Sequence, residues 1–224
     1  YEKALNWFTQ AAKQGSAVAQ YNIGYFYYSG KGAMQDKKES LKWYEMAAEQ
    51  GYKNASYLVG QIYYKGDGVE KDYKQALLWL QKSAATGNVN AQMVIAYLYE
   101  RGYGVEANQN LAFQWYLKAA QKGNPKAQYN IANSYEYGHG TNVNLANAML
   151  WYKKVTKQNG YITSADITRV VNKINQQKHI QESKKTLVKS KRTPTKSFSV
   201  SYSKEYKTAN QYEKQKDHKN ALKH

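Results

Sequence analysis

Trp7, Trp43, Trp79, Trp115 and Trp151 are the only tryptophans of the chain, and each follows the last by 36 residues. A single irregular core would not produce such a spacing. It marks a structural unit copied in tandem, each copy burying its apolar face against the next. Repeat arrays build long surfaces more readily than closed pockets, so the ladder also argues against an enzyme.

Superposing the units on their tryptophans aligns most other positions. Three residues before each stands a small side chain (Ala4, Ser40, Ala76, Ala112, Ala148), followed by Leu5, Leu41, Leu77, Phe113 or Met149. Ala11-Ala12, Ala47-Ala48, Ser83-Ala84 and Ala119-Ala120 come four and five residues after it. These offsets describe one face of an amphipathic helix, which ends at Gly15, Gly51, Gly87 or Gly123 in the place of a left-handed cap.

A second helix precedes each later tryptophan, over 19–30, 55–66, 91–102 and 127–138. Gly24, Gly60, Ala96 and Ala132 share one position in it. Glycine inside a helix costs about 1 kcal/mol against alanine, so its recurrence predicts a closely approaching neighbour backbone. Tyr27, Tyr63, Tyr99 and Tyr135 follow three residues on. Gly-x-Gly turns (Gly30/Gly32, Gly66/Gly68, Gly102/Gly104, Gly138/Gly140) then lead to Asp36, Asp72, Asn108 and Asn144, which suit helix N-caps. Asp36 with Glu39, and Asp72 with Gln75, read as capping boxes.

These residues resemble the Sel-one-like repeat, a relative of the tetratricopeptide repeat, whose pattern runs Ala, Leu-Gly, Tyr, Gly-x-Gly-Val, Asp, Ala, Trp-Tyr, Ala-Ala and Gly. Residues 55–87 carry it almost whole: Ala55, Val59-Gly60, Tyr63, Gly66-Asp67-Gly68-Val69, Asp72, Ala76, Trp79, Ser83-Ala84 and Gly87. The resemblance covers residues 1–158. It implies an all-α, right-handed superhelical solenoid of antiparallel helix pairs with a 36-residue period, whose role is to assemble other proteins. A Cys-rich bacterial branch of that family is reported as β-lactamase-like; this chain has no cysteine, so that activity is not carried over.

Residues 1–160 are thus expected to be tandem repeats, opening on the second helix of a unit, as a fragment or processed product would. After Trp151 the helix is expected to end at Asn159-Gly160, one residue late. Ile162, Ile167, Val170, Val171 and Ile174 then predict a capping helix over 161–183, behind Thr163 or Ser164. From residue 184 the pattern is lost.

Net charge is +17, but 13 of the 33 Lys/Arg and only 4 of the 16 Asp/Glu lie in residues 178–224. Lys184-Lys185, Lys189, Lys191-Arg192 and Lys196 among Ser, Thr and Pro194 predict a disordered tail over 184–224. That tail reads either as a solvated linker or as a basic arm for nucleic acid or an anionic membrane. Residues 209–222 faintly resemble the start of a tetratricopeptide unit.

Chemistry is sparse. Without cysteine there is no disulfide framework or thiolate metal site. His139 occupies the turn position held by Lys31, Asp67 and Tyr103 in other units, as an exposed loop tip would. The Gly-x-Gly turns follow helices rather than strands, unlike phosphate loops. Glu100 and Glu136 share one repeat position, as a glycosidase-like carboxylate pair or as two solvated or partner-facing carboxylates. An open groove favours the second reading, because it excludes too little water to raise an acid's pKa. No catalytic residue, cofactor, metal, small-molecule substrate or membrane span is expected.

By analogy with tetratricopeptide arrays, the first helix of each pair lines a concave groove. Its facing positions give Tyr21, Tyr25 and Tyr28; Tyr57, Gln61, Tyr64 and Lys65; Tyr97, Glu100 and Arg101; and Tyr129, Asn133, Glu136 and Tyr137. Tyrosine and arginine are the side chains that most often become binding hot spots. These positions vary between units while Trp79, Gly60 and Tyr63 equivalents hardly do, which suits a recognition surface on a constant frame. Tyr21, Tyr57 and Tyr129 read equally as packing between repeats. The expected function is a non-catalytic scaffold for a partner peptide or protein; the alternative is an adaptor acting through the basic tail.

Overall fold

A computed structural model describes residues 1–156 and 164–191. The described residues form ten helices and no strand: α1 Glu2–Lys13, α2 Ala17–Ser29, α3 Lys37–Glu49, α4 Lys53–Lys65, α5 Tyr73–Ala85, α6 Val89–Arg101, α7 Gln109–Gln121, α8 Pro125–Tyr137, α9 Leu145–Thr156 and α10 Ser164–Lys191. The chain divides into two units, Tyr1–Gln177 and Lys178–His224.

In the first unit, α2 packs most extensively on α3, α4 on α5, α6 on α7 and α8 on α9. Smaller contacts join each pair to the next, and extensive contacts run between helices consecutive in the chain. That is the quasi-one-dimensional packing of a helical solenoid, as the 36-residue ladder predicts.

Asp36, Asp72, Asn108 and Asn144 all cap, accepting from the backbone N–H of Glu39, Gln75, Leu111 and Asn147 at 2.8–3.0 Å. The reciprocal half of the expected capping boxes is not made. Glu39 instead pairs with Lys42 at 2.7 Å, and the Asp36 N–H donates to the Tyr27 carbonyl at 2.9 Å. The same turn bond recurs from Asp72 to Tyr63, Asn108 to Tyr99 and Asn144 to Tyr135. A backbone bond that locks the turn leaves the cap N–H no need of a carboxylate.

The close approach at the in-helix glycines comes mainly from a side chain. A Cβ on Gly60 would meet Leu80 Cγ at 2.7 Å, and one on Gly24 would meet the Tyr44 ring at 2.8 Å. The backbones are near as well: Ser40 Oγ, buried, donates to the Gly24 carbonyl at 2.7 Å.

Each later tryptophan packs backwards onto the preceding pair. Trp79 joins Leu41, Tyr44, Ala55, Val59 and Ile62, and Trp43, Trp115 and Trp151 flank the clusters before them. Burial grades accordingly: Trp79 is 6% exposed and Trp7, on the first helix, 71%. Lysines three residues on cover three of the rings, with Lys82, Lys118 and Lys154 Nζ at 3.9, 4.0 and 4.2 Å from the centroids of Trp79, Trp115 and Trp151.

Helix α10 starts at Ser164 and buries Val170 against α8 and α9, with Ile174 partly buried beside it. It continues to Lys191, beyond the expected boundary at 183. Every residue from 175 to 188 is exposed. The expected Asn159-Gly160 stop, Ile162, Thr163 and the tail from 192 onward lie outside the described residues.

Candidate functional site

The first helices of the four full pairs are α2, α4, α6 and α8. Their N-termini are pinned by Ser16, Asn88 and Asn124, which accept from Ala19, Ala91 and Ala127 N–H; α4 starts without a side-chain cap. Ala19, Ile23 and their equivalents face inward and are buried. The opposite positions remain accessible: Tyr25, Tyr28 and Tyr137 are exposed, with Lys65 and Arg101, while Tyr21, Tyr57, Gln61, Tyr64, Tyr97, Glu100, Tyr129 and Asn133 are half-buried.

These side chains interact along the row. Tyr28 Oη donates to Asp67 Oδ2 at 2.6 Å, Lys37 pairs with the same carboxylate, and its ammonium lies 5.6 Å from the Tyr28 ring centre. Lys37 first and Tyr28 second hold the Asp67 carboxyl below its ordinary range. Tyr64, Tyr73, Tyr103 and Tyr97 form a chain of rings with centroids 5.8, 4.9 and 5.9 Å apart, Tyr73 and Tyr103 stacked at 14°. The Arg101 guanidinium stands 5.6 Å from the Tyr97 centroid. Tyr21 lies between Tyr44 and Tyr52, at 5.4 and 4.8 Å, so it serves packing between helices as well as the face. Burial pushes the phenols of Tyr21, Tyr57 and Tyr64 up, further from neutral pH than an ordinary phenol.

Glu136 departs from the expectation of a solvated or partner-facing carboxylate. It is 3% exposed and held from within the chain. Arg169 donates Nε to Oε1 at 2.9 Å and Nη2 to Oε2 at 3.1 Å, Lys173 Nζ reaches Oε1 at 2.7 Å, and Tyr152 Oη donates to Oε2 at 2.8 Å. Burial alone would raise this carboxyl, but the bonds from Arg169, Lys173 and Tyr152 outweigh it and hold the pKa at about 2. A group so engaged stays ionised, so Glu136 is not poised to serve as a general acid. The same engagement takes Glu136 off the accessible face: the helix carrying Arg169 closes over it.

Glu100, one repeat earlier, keeps part of this arrangement. Tyr116 Oη donates to its Oε2 at 2.7 Å, and burial together with that bond drives the Tyr116 phenol well above its usual range. The nearest cation, Arg101 Nε, is 4.0 Å from Oε1. Beside it lies a cavity of about 370 Å³ lined by Glu100, Phe113, Tyr116, Tyr129, Asn133, Tyr137, His139 and Arg169, among others. His139 is exposed, as a loop tip would be, but its ring stacks on Tyr137 at 5.9 Å. Among the described residues, no group of three His, Cys, Asp or Glu is placed to hold a metal, and no helix is long and apolar enough to cross a membrane.

The Sel1 repeat model matches residues 1–16, 17–52, 53–88, 89–124 and 125–159. The chain belongs to the Sel1 repeat family. Among solved structures it is similar to a Sel1 repeat protein from Oxalobacter formigenes, at 37% identity and TM-score 0.67, covering 74% of this chain and 68% of that one. It is also similar to c5321, a protective antigen of uropathogenic Escherichia coli with the same repeat fold, at 34% identity and TM-score 0.65. That match covers 70% of this chain, which spans about 33% of the antigen's length. No curated protein matches. Sel1 repeat proteins generally act as protein–protein interaction scaffolds.

Within this Sel1 array the sequence reading passed over Tyr73, Tyr103 and Arg169. Tyr103 stands in a variable turn position, which hid its stacking. Arg169 was legible in the period: it follows Asn133 by 36 residues, as Asn133 follows Tyr97. The one-residue slip expected near Gly160 masked that register.

Proposed function

We propose that the chain is a non-catalytic scaffold that binds an extended segment of a partner protein along the tyrosine row of α2, α4, α6 and α8. The observation that carries this reading is the contrast within one helix type. Ala19, Ile23 and their equivalents in each copy are sealed in the core, while Tyr25, Tyr28, Tyr64, Tyr97 and Tyr137 keep accessible rings on the opposite side. Tyrosine supplies large contact area at low rotamer cost and a polar tip for hydrogen bonds, which suits recognition of a peptide backbone.

The variable residues of the row set which partner fits, and the constant Trp, Gly and Asp frame sets their spacing. Replacing Tyr25 and Tyr97 together by Ala is the test. Partner binding should weaken by at least about tenfold, as loss of two hot-spot side chains would cause. Helicity and melting should stay close to the parent. A double variant that binds its partner normally would refute the assignment of this face.

A further inference from the structure

The last two repeats place the same carboxylate in two different states. Glu136, Tyr152, Arg169 and Lys173 stand 36 residues after Glu100, Tyr116, Asn133 and Tyr137 respectively. In the later set the carboxylate receives a tyrosine hydroxyl, a two-pronged guanidinium and an ammonium. In the earlier set the tyrosine is kept, but the positions of the two cations hold Asn133 and Tyr137, which carry no charge. Asparagine is shorter than arginine by most of a side chain, and the cavity of about 370 Å³ opens at that place, with Glu100, Tyr116, Asn133 and Tyr137 in its wall. Such a volume falls within the range of about 300–1,000 Å³ usual for ligand pockets.

We infer that the Glu100–Tyr116 cavity is a binding site for an arginine side chain of the partner, which takes the place that Arg169 fills in the next repeat. The inference rests on the scaffold reading and gives the partner a chemistry: a segment presenting arginine to α6. The guanidinium would donate two parallel bonds to the Glu100 carboxylate, the strongest geometry for this pair. The Tyr129 ring in the cavity wall offers a face for its flat surface, while the Tyr137 ring is already met by His139 and the Lys173 ammonium. The two cations already present do not fill the role. Arg101 stays 4.0 Å from Glu100 and leans over Tyr97, and Arg169, also in the cavity wall, is bonded to Glu136 and Asp166.

The test uses the full chain and N-acetyl-arginine amide as the probe, with N-acetyl-citrulline amide as its uncharged analogue of equal shape. Amide shifts of Asn133, Ser134 and Tyr137 are followed by NMR during titration. The arginine probe should shift them saturably, and citrulline should bind at least about tenfold more weakly, as loss of a charge-assisted bond implies. Glu100→Gln should show the same loss for arginine. Equal binding of the two probes, no saturable shift, or undiminished arginine binding by a folded Glu100→Gln chain would overturn the inference. The comparison of probes on the parent chain stands even if that variant does not fold. No partner protein enters the measurement, so its failure and that of the tyrosine-row assignment are read separately.

Discussion

Arg169 grips Glu136 through two parallel bonds of 2.9 and 3.1 Å, joining α10 to α8 across 33 residues of sequence. The pair fixes the end of the repeat array, and its electrostatics make that end sensitive to acid. The folded carboxyl is held at about 2, below its ordinary value of 4.5, so folding favours the ionised form. The resulting stabilisation is present at neutral pH and is lost as pH falls from about 4.5 towards about 2.

At about 1.4 kcal/mol per pH unit, this amounts to roughly 3 kcal/mol. Glu136→Gln should therefore lower stability by about that amount at pH 7 and converge on the parent near pH 2. Urea unfolding of both chains at several pH values checks this. A gap that did not change with pH would mean that the pair is not what responds to acid.

The tryptophans share a sequence position but not an environment. Trp79→Ala, which empties a site between two helix pairs, should cost about 3–5 kcal/mol. Trp7→Ala, at a ring 71% exposed, should cost under about 1 kcal/mol. Denaturant midpoints of the two variants measure the difference. Equal losses would contradict the backward packing of each ring.

The turn glycines separate in the same way. Gly104 has φ +70°, and an added Cβ would lie 2.7 Å from the carbonyl carbon of Tyr73 in the preceding unit. Gly51 has φ +81° with nothing within 4 Å of such a Cβ. Gly51→Ala should cost about 1 kcal/mol, the left-handed penalty alone. Gly104→Ala should cost about 3 kcal/mol, because displacement of the neighbouring turn adds to it. Thermal melts of both variants provide the check.

Much of this was legible in the chain because a repeat writes each structural demand several times. The helix pairs, their N-caps and the buried Ala and Leu positions all follow from register. Three things did not. The second glycine of each turn looked like turn chemistry alone, since its contact is with the backbone and Cβ atoms of a residue 31 earlier, which leave no residue signature. The lysines over Trp79, Trp115 and Trp151 carry no apolar signal to mark them, although Trp-x-x-Lys recurs in three units. The burial of Glu136 depends on Arg169 and Lys173, whose 36-residue register the slip expected near Gly160 hides, and the carboxylate's own sequence surroundings match those of Glu100.

The most direct measurement of the central claim is hydrogen exchange of the full chain with and without a partner recovered by affinity capture. The account predicts new protection along α2, α4, α6 and α8, concentrated around Tyr25, Tyr64 and Tyr97, with little change in α3, α5 and α7. Protection confined to the tryptophan-bearing helices, or to residues 192–224, would contradict it.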